Sequence, residues 1–167
     1  MNYRVSTESD INKIMDIILQ AKDFLKAQGV DQWNDGYPDA CHIKDDIKAG
    51  DGYVLIDGQN IAGYACISFA KEQIYDELQG QWLSDKPYAV IHRMAIDSNY
   101  KGENLSGILF NLAENLCRER GIHSIKIDTG SDNKIMQHIL LKNGYAFCGT
   151  IRFNNNERIS FAYEKIF

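Results

Sequence analysis

The residues most suggestive of chemistry lie where an apolar run meets an amphipathic one through a glycine-containing turn. Residues 88–97 are largely apolar, Gly102 and Gly107 mark the turn, and leucines and isoleucines recur at helical spacing from Leu105 onward. A strand that runs through a short turn into a helix directs unpaired backbone N–H groups towards one point, at the positive end of the helix dipole. The junction therefore predicts a seat for a phosphate or pyrophosphate, although a plain strand-to-helix turn would give the same pattern.

The junction lacks two common nucleotide-binding motifs. No Gly-Lys-Ser or Gly-Lys-Thr follows a GxxxxG pattern, so the turn is not a Walker A loop. It is not GxGxxG either, and dinucleotide binding of the Rossmann type is therefore not supported. We expect a phosphate-bearing ligand at this turn to be held mainly by backbone amides.

The elements that must position this junction follow from hydrophobic periodicity and turn residues. Their predicted order is β-α-α-β-β-β-α-β-α-β-β, which indicates an α/β (α+β) fold with helices on both faces of a mixed, mostly antiparallel sheet of about six to seven strands. Strands are predicted at residues 3–6, 53–56, 61–69, 88–97, 124–128, 145–151 and 158–164. Helices are predicted from Thr7 to Gly29, from Pro38 to Gly50, from Leu105 to Gly121, and from an Asp132 or Ser131 cap to Lys142. Residues 71–86 have no clean period and are predicted to form a mixed loop.

Composition limits the class of protein before any motif is considered. The chain has 167 residues, 44% of them hydrophobic, and a formal net charge of −5, which suits one globular domain spanning residues 1–167. The acidic balance argues against a nucleic-acid binder. No apolar run is long enough to cross a membrane, and the first residues lack the layout of a signal peptide. Four cysteines without metal spacing predict reduced thiols, no metal site and a cytoplasmic protein.

The junction, in its context, resembles the GNAT superfamily of N-acetyltransferases, which bind acetyl-CoA. In that family a strand carrying a hydrophobic pair leads into [R/Q]-x-x-G-x-[G/A] and then a helix, and Ala95-Ile96 here precede such a segment. Lys101 stands at the Arg or Gln position, Asn104 at the first Gly and Ser106 at the second. Asn tolerates a left-handed backbone and Ser is small, so a cradle of backbone N–H groups could survive these changes.

A second segment carries the same resemblance, which extends over nearly the whole chain. Residues 133–145 are similar to the family pattern N-x-x-A-x-x-L-Y-x-K-x-G-F, with Met136 at the Ala and Tyr145 at the Phe. Membership would imply a central strand pair that splays apart, so that freed backbone groups bind the pantetheine arm while the amides after the strand hold the pyrophosphate. Asn133 would bind pantetheine or form the far wall of the cleft. The residues thereby assigned to acetyl-CoA (CoA) are Met94, Ala95, Ile96, Lys101, Gly102, Glu103, Asn104, Leu105, Ser106, Gly107 and Asn133.

The resemblance also indicates where proton transfer would occur. The position of the usual acidic Tyr is Leu140, and the position of a common basic Glu is Val90, so both groups are absent. His92 lies two residues after Val90 and is expected on its face of the strand, where some amine-acetylating members carry a base. An imidazole can accept a proton near neutral pH, which makes His92 the catalytic candidate. The alternative is a core imidazole with satisfied nitrogens, and Arg93, on the opposite face, is expected to be structural.

The family's acceptor pocket would be walled by the region between the first strand and the central hairpin and by the loop that follows. This chain supplies aromatic rings there together with carboxylates, a combination that suits a cationic amine, although core packing and solvated acids would explain the same residues. The predicted substrate-binding residues are Trp33, Tyr37, Tyr75 and Trp82, accompanied by Tyr88 and by Asp31, Asp35, Glu72, Asp76 and Glu77.

The predicted function is acetyl-CoA-dependent transfer of an acetyl group to a primary amine of a small molecule or peptide, by direct transfer in a ternary complex. A catalytically weak or inactive acyl-CoA-binding sensor or scaffold is the alternative, because the usual Tyr and Glu are missing. A third possibility is an interaction module whose cleft has lost its activity. No nucleic-acid or membrane partner is expected, and assembly into a homodimer stays open.

Overall fold

The computed structural model of the chain describes residues 1–167 and contains four α-helices and eight β-strands. The helices are α1 (Ile11–Ala27), α2 (Ala40–Ala49), α3 (Leu105–Glu119) and α4 (Lys134–Lys142). The strands are β1 (Asn2–Val5), β2 (Gly52–Asp57), β3 (Asn60–Ser68), β4 (Gln79–Gly80), β5 (Ala89–Ile96), β6 (Ser124–Gly130), β7 (Ala146–Phe153) and β8 (Arg158–Ile166). None of the helices combines the length and apolar character that a membrane span requires.

The strands form one mixed sheet in the order β1-β2-β3-β5-β6-β8-β7-β4. The pairs β1–β2, β2–β3, β6–β8, β7–β8 and β4–β7 are antiparallel, whereas β5–β6 is parallel. The predicted fold class is thus confirmed, with the predicted helices in place and a strand count of eight instead of six to seven.

The additional strand, β4, lies in the stretch for which only a mixed loop was predicted. A short 3₁₀ turn, Gln73–Glu77, is followed by two residues of β4 that pair with Thr150 and Gly149 of β7. The backbones approach so closely that a Cβ on Gly80 would lie 2.1 Å from the carbonyl oxygen of Cys148. A strand of two residues has no hydrophobic period, which is why the pattern could not predict it.

The start of α4 differs from the predicted one. Asp132 and Ser131 do not cap this helix; instead the Asn133 side chain accepts a hydrogen bond from the Met136 N–H at 3.1 Å. The reason is that the sheet continues further than expected: β6 extends to Gly130, and the Ser131 N–H still bonds to Ile159 at 3.0 Å. The helix therefore begins later, and Asn, one of the best N-cap residues, takes the cap position.

The chain divides into two compact units. Unit 1 comprises residues 1–68 and 92–109, and unit 2 comprises residues 69–91 and 110–167. The boundary falls inside β5, between Ile91 and His92. The four cysteines are free, as predicted.

The core of unit 1 follows directly from the predicted periodicity of α1. Ile14, Ile17 and Ile18 recur at helical spacing and are completely buried against β2, β3 and β5. Thr7 precedes this helix, and its N–H donates to the Asp10 carboxylate at 2.8 Å. The buried members of this core are Ile14, Ile17, Ile18, Ile43, Val54, Ile61, Tyr64 and Ala95.

Unit 2 contains the short parallel contact of the central strands. β5 and β6 pair only at Ala89↔Ile125 and Val90↔Lys126, whereas β6 pairs with β8 over its full length. The splayed strand pair that the family resemblance implies stays a prediction. The buried core of this unit comprises Tyr75, Val90, Ile151 and Ala162.

Candidate active site

The turn between β5 and α3 adopts the backbone conformation that its residues favour. Asp97 caps a short 3₁₀ turn, Ser98–Tyr100, by accepting the Asn99 N–H at 2.9 Å. Gly102 has φ 89° and Asn104 has φ 57°, both in the left-handed region. The prediction that Asn104 would tolerate this conformation in place of Gly is confirmed.

The beginning of the turn is fixed to the body of unit 1. The Asp97 N–H donates to the carbonyl of Ala62 at 2.9 Å, and the Lys13 ammonium donates to the Asp97 carboxylate at 2.6 Å. The Ser98 N–H donates to the Gln20 side chain at 2.8 Å. Burial alone would raise the pKa of Asp97, but Lys13 and the Asn99 amide outweigh it and lower the pKa. The turn therefore rests on a carboxylate that stays ionised and neutralised.

Four backbone N–H groups at the start of α3 have no hydrogen-bond partner in the chain: those of Gly102, Asn104, Leu105 and Ser106. The amides of Lys101, Glu103 and Gly107 bond within the turn at 3.4, 3.3 and 3.1 Å. The sequence assigned all seven amides of residues 101–107 to the pyrophosphate, and the structure leaves four of them available. Unpaired N–H groups at a helix N-terminus form a favourable environment for an anion.

The side chains of the turn add little charge to this cluster of amides. Lys101 and Glu103 are both exposed, and the Lys101 ammonium lies 4.2 Å from the centroid of the Phe24 ring on α1. A Cβ on Gly107 would lie 2.8 Å from the amide of the exposed Asn104 side chain, which would then have to move. The unpaired donors at this turn are therefore backbone N–H groups.

The three predicted pantetheine contacts lie at the end of β5. Ala95 packs into the core of unit 1, whereas Met94 and Ile96 are half-buried. β3 approaches this strand closely at Gly63, where a Cβ would lie 2.8 Å from the Ile96 side chain.

His92 is half-buried in β5 and stands next to an irregularity in the strand. Arg93 has φ 51°, which interrupts regular β geometry, so that alternation between strand faces cannot be extended from His92 to Met94. His92 was also predicted to share a strand face with Val90. Both residues come before Arg93, so this part stays a prediction.

Arg93 is held in unit 1 by a buried ion pair, in line with the structural role predicted for it. Its guanidinium makes two hydrogen bonds to the Asp46 carboxylate on α2 and one to the Tyr37 hydroxyl. The Tyr64 hydroxyl donates to the same carboxylate at 2.7 Å. Burial opposes the charged form of Arg93, but the bond to Asp46 outweighs it and raises the pKa of Arg93. Burial, followed by the charge of Asp46, raises the pKa of the Cys66 thiol to about 12.

The same contacts change the interpretation of the loop between α1 and α2. Trp33 and Tyr37 of this loop were predicted to bind the acceptor, with core packing as the alternative. Trp33 instead packs against the core of unit 1, and Tyr37 contacts both Arg93 and the His42 ring, whose centroid is 4.7 Å away. These contacts favour the packing alternative for both rings, and their acceptor role stays a prediction that rests on the family resemblance.

The other two predicted acceptor residues lie together in unit 2. Tyr75 is only 2% exposed, and its hydroxyl donates to Asp128 at 2.9 Å. The Trp82 indole N–H donates to the Tyr75 carbonyl at 2.9 Å, and the two rings are 5.1 Å apart. Burial raises the pKa of Tyr75 well above its usual value, so this hydroxyl stays protonated.

These rings line an open cleft of about 730 Å³ that also contains a lysine which the sequence analysis missed. Lys126 lies on β6 with its ammonium 4.4 Å from the Trp82 ring centroid and 4.1 Å from that of Tyr88. A lysine between two isoleucines was the available signal, but it resembles the solvent-facing position of a strand. The other residues around the cleft are Lys71, Tyr75, Asp76, Leu78, Gly80, Gln81, Leu83, Ser84 and Asp85.

The remaining positions named from the family pattern are Leu140, on α4, and Asn133, the residue before it. Leu140, at the position of the usual acid, is completely buried and carries no group that could transfer a proton. Asn133 is buried, and its side-chain oxygen accepts the Met136 N–H that caps α4. This oxygen is therefore already used within the chain.

Comparison with known proteins agrees with this geometry. The Acetyltransferase (GNAT) family model matches residues 18–145. A GNAT-family acetyltransferase from Streptococcus agalactiae is 33% identical, with a TM-score of 0.89 over 99% of this chain and 95% of that one. A GNAT-family acetyltransferase from Listeria monocytogenes is 22% identical, with a TM-score of 0.77 over 99% and 94%.

A third structure was determined with a ligand. The PaiA N-acetyltransferase from Thermoplasma acidophilum, in complex with coenzyme A, is 12% identical, with a TM-score of 0.74 over 99% of this chain and 98% of that one. At this identity the likeness shows the fold alone. No curated protein sequence gave a significant match. From the family match, the Streptococcus agalactiae structure and the architecture described above, we conclude that the chain belongs to the GNAT family of acetyltransferases.

Proposed function

We propose that the protein is an acetyl-CoA-dependent N-acetyltransferase that moves an acetyl group to a primary amine of a small molecule or peptide by direct transfer in a ternary complex. The observation that carries the proposal is the set of four unpaired amides at Gly102, Asn104, Leu105 and Ser106. These groups fit a pyrophosphate, because they supply several N–H donors at the positive end of the α3 dipole.

The chain's own residues would divide the work as follows. Bound acetyl-CoA supplies an activated thioester carbonyl. The amides of Gly102, Asn104, Leu105 and Ser106 would hold the pyrophosphate, and the backbone of residues 94–96 would bind the pantetheine arm in place of a neighbouring strand. His92 accepts the proton that the amine must lose, and Arg93, fixed by Asp46, sets the position of the strand beside it.

Turnover distinguishes the enzyme from a binding protein. CoA release should be measured with acetyl-CoA and a panel of polyamines, amino acids, aminoglycosides and peptides. We expect at least one amine to be acetylated, with a product mass increased by one acetyl group. Tight binding of acetyl-CoA without turnover on any acceptor would instead favour the sensor or scaffold, for which the absence of the usual acid at Leu140 is the specific argument.

The role of His92 is tested by replacement. We expect His92→Ala to lower kcat/KM for the amine by about 100-fold near neutral pH, since a positioned base contributes about 10² to 10⁴ in rate. The rate of the variant should instead rise steadily with pH towards the range in which the free amine deprotonates.

His138→Ala is the matched control, because His138 is exposed on α4. It should leave kcat/KM unchanged. If His92→Ala has the rate and pH profile of the unmodified enzyme, His92 is a core imidazole and not the base.

A further inference from the structure

Lys126 is a buried cation that makes no direct ion pair. Its residue is only 4% exposed, yet its ammonium makes no hydrogen bond or ion pair with any group of the chain. The two rings beside it attract the charge, and cation–π contacts of this kind contribute about 0.5–2 kcal/mol. A buried charge without a partner is costly, and natural proteins pair such groups.

The carboxylate nearest in the sheet does not fill this role. Glu164 lies opposite Lys126 in the β6–β8 register and is completely buried. One of its oxygens accepts the Leu83 N–H at 2.6 Å and the other accepts the Ser124 hydroxyl at 2.6 Å. Glu164 thus fixes the segment that covers Lys126 and acts on the ammonium through its charge, without a direct ion pair.

The ammonium borders an open cleft, so a ligand can reach it. Trp82, Tyr88 and Lys126 line the same space of about 730 Å³. Asp76 and Asp85 lie at its exposed edge, and Asp76 is already paired with Lys71 at 2.7 Å. Burial lowers the pKa of Lys126, whereas the charges of Glu164, Cys148, Asp76 and Asp85 act to raise it.

We infer that this cleft binds a small molecule carrying a carboxylate, with the anionic group held by Lys126 and an apolar or aromatic body packed against Trp82 and Tyr88. Both parts follow from the described contacts: a desolvated cation recognises the carboxylate, and the indole and phenol rings offer flat apolar surface. Only the further step, that such a ligand is the acetyl acceptor and hence an amine with a carboxylate, rests on the proposed function.

The experiment compares two probes of the same shape, 3-phenylpropionate and 3-phenylpropionamide, by calorimetric titration of the whole chain without acetyl-CoA. We expect the carboxylate to bind at least about tenfold more tightly than the amide, because only the former pairs with the buried ammonium. Lys126→Met should abolish this preference, and Lys126→Arg should keep it. Melting temperatures of both variants show whether the fold is intact.

Three results would overturn the inference: equal affinity of the two probes, no binding of either up to about 10 mM, which corresponds to less than about 3 kcal/mol of binding free energy, or an unchanged preference in Lys126→Met. If Lys126→Met does not fold, the comparison of the probes on the unmodified protein still decides. The titration contains no acetyl-CoA, so its result does not depend on whether the protein transfers acetyl groups. A failed titration would likewise leave the proposed acetyl transfer untouched.

Discussion

Asp46→Asn should destabilise the protein by about 3–5 kcal/mol, since removing one partner of a buried ion pair leaves the other charge uncompensated. Asp46 and Arg93 are both largely buried, and the guanidinium makes two hydrogen bonds to this carboxylate. Asn keeps the size and one acceptor oxygen, so the variant removes the charge and little else. The free energy of unfolding, measured in urea, is the readout.

Two further variants isolate the cause. Asp45→Asn makes the same change at the preceding, exposed position of α2 and should shift the free energy of unfolding by less than about 0.5 kcal/mol. Replacing the whole pair, with Arg93→Met and Asp46→Leu together, should restore much of the loss because no unpaired charge remains. A loss in Asp46→Asn no larger than that in Asp45→Asn would show that the pair does not stabilise unit 1.

Ser106→Asp should weaken acetyl-CoA binding by about 100-fold or more, because it places a carboxylate among the amides that are proposed to hold the pyrophosphate. The same change should stabilise the free protein slightly, by about 0.3–1 kcal/mol, since an acidic residue in the first turn favours the helix dipole. Affinity and stability should thus move in opposite directions. Calorimetric titration and thermal melting of the same preparation measure both.

The matched control places the same charge elsewhere on α3. Asn115 is exposed and lies nine positions after Ser106, or about 13.5 Å along a helix that rises about 1.5 Å per residue. That distance exceeds the Debye length of about 8 Å at physiological ionic strength, so Asn115→Asp should leave the affinity nearly unchanged. If Ser106→Asp and the unmodified protein bind acetyl-CoA with equal affinity, the pyrophosphate does not lie at the N-terminus of α3.

Much of the fold could be predicted because local signals and packing agree. The isoleucine spacing of α1, the strand before Asp97 and the amphipathic stripe of α3 each predict an element that the structure contains. The left-handed conformation of Asn104 was predictable for the same reason, since few other residues adopt it without strain.

The covering segment of unit 2 was not predictable from pattern. Residues 71–86 lack a period because a 3₁₀ turn, a two-residue strand and an irregular stretch hold them through single contacts, such as the Leu83 N–H on Glu164. Because the sequence pattern does not reveal the segment that covers Lys126, this residue resembles any solvent-facing lysine of a strand. The aromatic rings and acids of this region predicted a cationic ligand, whereas Trp82 and Tyr88 already hold a cation of the chain itself.

The most direct test of the proposed cofactor site is an NMR titration of the ¹⁵N-labelled protein with CoA, followed at the amide resonances of residues 101–107. Hydrogen bonds from the pyrophosphate should shift the amide protons of Gly102, Asn104, Leu105 and Ser106 downfield. The amide of Ser98, which already donates to Gln20, should change little. If these four resonances stay in place at saturating CoA, or if CoA does not bind, the N-terminus of α3 does not hold the cofactor and the proposed acetyl transfer loses its basis.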